Sequence, residues 1–116
     1  MEMRGRATIV IPEKADLISF FESEPIEEHQ GFSLFQVADP RGVAVRFSYD
    51  LFERSVQTAI DVLGQSVSIV SHEELTTISF HDGSLVALCE YGGIQTQLTV
   101  DVRPNIKVEW SSLVIK

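Results

Sequence analysis

Two short turns, Asp82-Gly83 and Gly92-Gly93, constrain this chain more than any other feature of its sequence. The first separates LTTISFH (75–81) from SLVALCEY (84–91), and the second separates SLVALCEY from a further strand pattern at 94–102. Asp-Gly between alternating apolar runs is the strongest short hairpin signal, because a two-residue loop that follows the strand twist needs positive φ at its centre. Two-residue loops at both sites also predict the pairing. Phe80 falls opposite Leu85, Ile78 opposite Ala87, Tyr91 opposite Ile94, Ala87 opposite Leu98, and Leu85 opposite Val100. All of these lie on one face, and a slip of one residue would invert it, so each turn supports the other. The remaining face carries Thr77, Ser79, His81, Glu90, Gln95, Gln97, Thr99 and Asp101, with Val86 and Leu88 as apolar exceptions.

The rest of the chain reads around that meander. RATIVI (6–11) is a short strand pattern ended by Pro12, and 13–22 has Leu17, Phe20 and Phe21 at near-helical spacing. Pro25 closes this short helix, leaving 22–31 as a polar, acidic connection and the expected mobile loop. Residues 32–38 and 43–49 pair across Asp39-Pro40-Arg41-Gly42, where each position has turn chemistry. Next, Asp50 and Glu53 form a capping-box pattern ahead of Phe52, Val56, Ala59, Ile60 and Leu63, with Gly64 where a helix C-terminus wants a left-handed residue. That spacing predicts a helix over 51–63. Val67 and Ile69 begin the strand-rich half, Pro104-Asn105 interrupts it, and IKVEW (106–110) alternates again. The expected fold is α+β: a mostly antiparallel, meandering sheet with the 51–63 helix packed on one face. The 13–22 helix is expected to cover an edge or the same face.

Composition bounds the class. A chain of 116 residues, 44% hydrophobic, holds enough apolar material for one core, so a single domain spanning 1–116 is expected. One cysteine, Cys89, allows no internal disulfide and suits a reducing compartment. The apolar run at 7–11 is shorter than a signal-peptide core, and no segment approaches a membrane span, so the expected location is cytoplasmic.

Chemistry-bearing patterns are scarce. His29, His72 and His81 lack the i+2 or i+4 spacing that focuses ligands on one ion, and Cys89 has no CxxC partner, so no metal or cofactor is expected. Cys89 lies inward on a strand pattern, where a thiol is usually inert. No nucleophile elbow or glycine-rich phosphate cradle occurs. The adjacent pairs Glu27-Glu28 and Glu73-Glu74 point to opposite faces if extended, so nothing sets two carboxyls at a working separation. No residue is expected to be catalytic. Trp110, ending the alternation Ile106, Val108, Trp110, belongs by default to the core and would anchor an interface if exposed.

Charge is more informative. The net charge of −8 argues against nucleic acid as a partner. No lysine or arginine falls between Arg54 and Arg103, a span holding Asp61, Glu73, Glu74, Asp82, Glu90 and Asp101. A second acidic group, Glu22, Glu24, Glu27 and Glu28, lies in the first quarter of the chain. Acidic surface serves solubility in general; it also speeds association with a basic protein.

With GVAVRFSYDLFERSV at 42–56, read as strand running into helix, and IKVEWSSL at 106–113, this small, acidic, motif-poor chain resembles the immunity proteins of bacterial polymorphic toxin systems. Those families accompany Rhs, contact-dependent inhibition and type VI secretion toxins. The resemblance implies a non-catalytic inhibitor that binds and neutralises a cognate, basic toxin domain, for example an ADP-ribosyltransferase or nuclease, by occluding its active or substrate-docking site. The candidate partner-binding set is Glu73, Glu74, Asp82, Val86, Leu88, Glu90 and Asp101, carboxylates around a small apolar centre. Two other classes stay open: an effector chaperone or adaptor, and a small-ligand-binding domain, which a pocket of several hundred cubic ångströms would favour. A homo-oligomer paired through strand edges also stays open.

Overall fold

The computed structural model describes residues 8–115 and is built almost wholly of antiparallel strands. One helix, α1 (Lys14–Phe21), precedes nine strands: β1 (Glu27–His29), β2 (Phe32–Ala38), β3 (Val43–Asp50), β4 (Ser55–Val62), β5 (Gln65–Glu73), β6 (Leu75–His81), β7 (Ser84–Tyr91), β8 (Ile94–Asp101) and β9 (Lys107–Val114). They form two sheets of sequential neighbours, β1 to β5 and β6 to β9. The single expected sheet is therefore two, and the chain passes from one to the other at Glu73-Glu74-Leu75, where Glu74 adopts a left-handed φ of 62°.

The 51–63 helix is absent. Residues 55–62 are β4, paired along its length with β3. The capping chemistry at its start is nevertheless present, since Asp50 Oδ1 accepts from the amides of Phe52 and Glu53, both at 2.9 Å. It holds one turn. Arg54 then turns left-handed (φ 54°), and Val56, Thr58 and Ile60 alternate inward as β-branched strand residues do. Leu63 and Gly64, with φ of 50° and 84°, form a tight hairpin turn in place of a helix terminus.

Elsewhere the elements fall close to expectation. The one described helix occupies 14–21. The two turns at 82–83 and 92–93 produce all five anticipated pairings. The final strand extends past Trp110 to Val114. The acidic connection contains β1, and of the 6–11 strand pattern residues 6–7 lie outside the described residues, while Val10 makes only an isolated parallel bridge to Thr77.

One core joins both sheets. Phe35, Val45, Phe47 and Val56 come from the first, and Ile78, Leu85, Leu98 and Val100 from the second. The helix closes one side between them: Phe21 stacks on Phe35 and Phe47 with ring centroids 4.9 and 5.6 Å away, and Phe20 meets Phe80 of β6 at 5.2 Å. A polar clamp ties the sheets at the β2–β3 turn. The Asp39 carboxylate, 1% exposed, accepts from Arg41 (2.7 Å) and from the Ile106 amide (2.9 Å), while Arg41 also donates to the Ile106 carbonyl at 3.0 Å. The Arg41 side chain, above all, holds this carboxyl well below the usual carboxylate range against the opposing effect of burial.

Candidate functional site

The inner face of the second sheet is built in rows across β7, β8 and β9. Leu85, Val100 and Val108 form one row, and Ala87, Leu98 and Trp110 the next, both covered by the first sheet. Cys89, Thr96 and Ser112 follow, with the Thr96 and Ser112 hydroxyls 2.9 Å apart. The last row is Tyr91, Ile94 and Val114, and here cover runs out. β6 begins at Leu75 opposite Cys89, and β4–β5 pairing ends at Ser55 and Glu73, so the β7–β8 hairpin projects beyond both. Tyr91 is 75% exposed, Ile94 47% and Val114 69%. An apolar inward-facing row left open at the end of a sandwich is unusual, since core faces are normally capped.

Beneath this row lies a cleft of about 500 Å³ between the sheet ends. Cys89 and Thr96 form its buried floor, His72 lines the β5 side, and Glu73, Glu74 and Glu90 form an acidic rim. His72 is held by stacking on Trp110, with ring centroids 5.3 Å apart. The Glu90 amide donates to the Glu74 carbonyl at 3.0 Å, which fixes the rim where the two sheets meet. Burial pushes the Cys89 thiol up to about 11, with the nearby Glu74 charge adding to it. At 3% exposure it is a packing residue.

The expected partner-binding set divides between the junction of the two sheets and the second sheet. Glu73, Glu74 and Glu90 converge at the cleft. Asp82 is at the tip of the β6–β7 hairpin and Asp101 accepts from the Ser84 hydroxyl, both at the opposite end of the strands. Val86 and Leu88 lie half-buried between, on the outer face. The fold thus brings three of the seven together. It adds Tyr91 and Ile94, expected on the buried face, and His72, which has no metal-ligand spacing in the sequence.

Both acidic groups of the chain are partly compensated; in the span between Arg54 and Arg103, Asp61 pairs with Arg46 at 3.2 Å and Asp82 lies 3.6 Å from His81. In the N-terminal group Glu28 pairs with Lys14 at 2.9 Å, Glu27 with His29 at 2.8 Å and Glu22 with Arg103 at 3.1 Å. Among the described residues no ion pair engages Glu73 or Glu90. Among the described residues no group of three or more His, Cys, Asp or Glu side chains is placed to hold a metal ion, and no helix is long and apolar enough to cross a membrane.

The fold is that of a two-sheet antiparallel sandwich with one helix plugging a side. It is similar to a chain of a solved contact-dependent growth inhibition toxin–immunity protein complex from Klebsiella pneumoniae 342, with a TM-score of 0.84 and 24% sequence identity over 93% of this chain and 100% of that one. At this identity the likeness establishes the shared fold. No protein-family model matches the sequence, and no curated protein matches it.

Proposed function

We propose that this chain is a non-catalytic immunity protein that binds a toxin domain of the contact-dependent inhibition class and neutralises it by occlusion. The observation that carries this reading is the likeness in fold along essentially the whole of both chains to a member of a toxin–immunity complex. The resemblance of the sequence to immunity proteins supports it, as does the net charge of −8, which favours a basic partner. The absence of a catalytic pattern from the sequence is consistent with inhibition by contact. In this reading the toxin is a basic protein domain, and acidic surface on the inhibitor speeds docking while apolar contact slows release.

The test is capture of the tagged full chain's partner from its native cell, washed at low and then high salt, followed by expression of the recovered polypeptide with and without this chain. A stoichiometric polypeptide that is toxic alone and harmless when co-expressed supports the proposal. A retained polypeptide with no toxicity overturns it in favour of a chaperone or adaptor. The cleft of about 500 Å³ favours one second reading, a small-ligand-binding domain. Its open outer row weighs against that reading, because small-molecule sites bury most of the ligand. Saturable binding of a metabolite with no protein partner would favour it.

A further inference from the structure

We propose that the end cleft, and not the outer face of the second sheet, is the docking site, and that it receives an arginine-bearing segment of the protein partner. This rests on the toxin-binding reading above and deepens it. Three independent features converge on the cleft. Its rim carries Glu73, Glu74 and Glu90, and neither Glu73 nor Glu90 is engaged by an ion pair among the described residues, whereas Glu22, Glu27, Glu28, Asp39, Asp61 and Asp82 are. Its outer wall is Tyr91 and Ile94, from the open apolar row on the face that elsewhere in the sandwich is core. Its volume, about 500 Å³, accommodates a long side chain and the backbone on either side of it.

The chemistry that fits all three is a guanidinium on an apolar stem. Arginine lays its methylenes along apolar surface, stacks its planar head on an aromatic face, and offers forked donors that match carboxylates two at a time. The Tyr91 ring, 75% exposed where it lines the cleft, offers such a face. Lysine would satisfy the charge without the stacking or the bidentate geometry. The outer-face residues Asp82 and Asp101 lack this combination: they are at the far end of the strands, and Asp101 is already engaged by Ser84.

Hexa-arginine, hexa-lysine and hexa-glutamate peptides titrated against the full chain, followed by amide chemical shifts, test the site without the toxin. Hexa-arginine is expected to shift Glu73, Glu90, Tyr91 and Ile94 first, and to bind more tightly than hexa-lysine. Hexa-glutamate is expected to shift nothing. Tyr91→Ala should weaken hexa-arginine about threefold, the size of an exposed cation–π contact. E73Q combined with E90Q should weaken it roughly tenfold, and D82N combined with D101N should leave it unchanged. Shifts centred on Asp82 and Asp101, equal response to both cationic peptides, or indifference to Tyr91→Ala would overturn the proposal. A chain that still neutralises its toxin with Tyr91, Glu73 and Glu90 replaced would sink the cleft as the docking site while leaving the immunity reading intact; an unaltered chain that fails to protect would sink that reading itself.

Discussion

Trp110 Nε1 donates to Thr58 Oγ1 at 3.1 Å, joining the last strand of the second sheet to the centre of the first. Thr58 is 2% exposed, so its hydroxyl has no access to water in compensation. Replacing Trp110 with Phe should therefore cost about 1–2 kcal/mol from the orphaned hydroxyl, besides lost contact area. Thr58→Val should cost a similar amount by leaving the indole N–H unpaired. The double variant should lose less than the two single losses summed, because both remove the same bond. Urea unfolding of the four proteins measures this, and strict additivity would mean the bond contributes nothing.

The Asp39 clamp predicts a pH dependence of definite sign. The folded carboxyl is held below its ordinary range, chiefly by Arg41, so the unfolded chain takes up the proton first as pH falls. The contribution is complete above the unfolded value of about 4 and drains away as pH drops below it. Asp39→Asn should lower the denaturation midpoint at pH 7, and the gap between variant and parent should narrow from pH 5 to pH 3. A gap constant over that range would show that the charge of Asp39 is not what the fold uses.

Gly42 separates torsional strain from crowding. Its φ is +86°, and a Cβ there would come 2.7 Å from Leu63 Cδ2, the mobile end of an exposed side chain. The backbone carbonyl of Gly42 accepts from the Leu63 amide at 2.9 Å, so the two turns are already coupled. Because the methyl can move, torsion should dominate, and Gly42→Ala should cost about 1–2 kcal/mol. Gly83, with φ +84° and open space around it, should cost about the same on substitution by alanine. A much larger loss at Gly42, relieved by Leu63→Ala, would show instead that contact governs the site.

Cys89 should be nearly unreactive in the folded protein. With its thiol pushed up to about 11 by burial, the thiolate fraction at pH 8 is roughly two-hundredfold below that of a free cysteine titrating near 8.5. Stability from the neutral thiol is full below that ordinary value and is lost as pH rises from there toward the folded one. Disulfide-exchange reagents at pH 8, with and without denaturant, should show at least that ratio in rate. Comparable rates would place the thiol at the open surface of the cleft.

The hairpins of the second sheet were legible because their turns specify register: Gly at the second turn position and apolar alternation on both sides admit one pairing. The stretch 51–63 was not. Its apolar residues fit the helical period nearly as well as alternation does, and the Asp50 carboxylate makes the very amide contacts that a helix cap makes. The left-handed Arg54 and the β-branched run Val56, Thr58 and Ile60 decided for a strand once β3 was available as a partner. The division into two sheets was hidden because it depends on a left-handed non-glycine residue, Glu74, that no sequence rule marks. The cleft was half legible. Its carboxylates stood out in a span without lysine or arginine, but the exposure of Tyr91 and Ile94 follows from where β6 begins and where the first sheet ends, and that is a tertiary fact.

The central claim is that this chain silences a toxin by occupying it. The most direct measurement is the growth of a laboratory bacterium expressing the toxin domain recovered by capture, alone, with this chain, and with the chain carrying Tyr91→Ala, E73Q and E90Q. The account predicts arrest alone, full growth with the unaltered chain, and weakened protection with the altered one although it folds normally. Arrest that continues in the presence of the unaltered, folded and bound chain would contradict it.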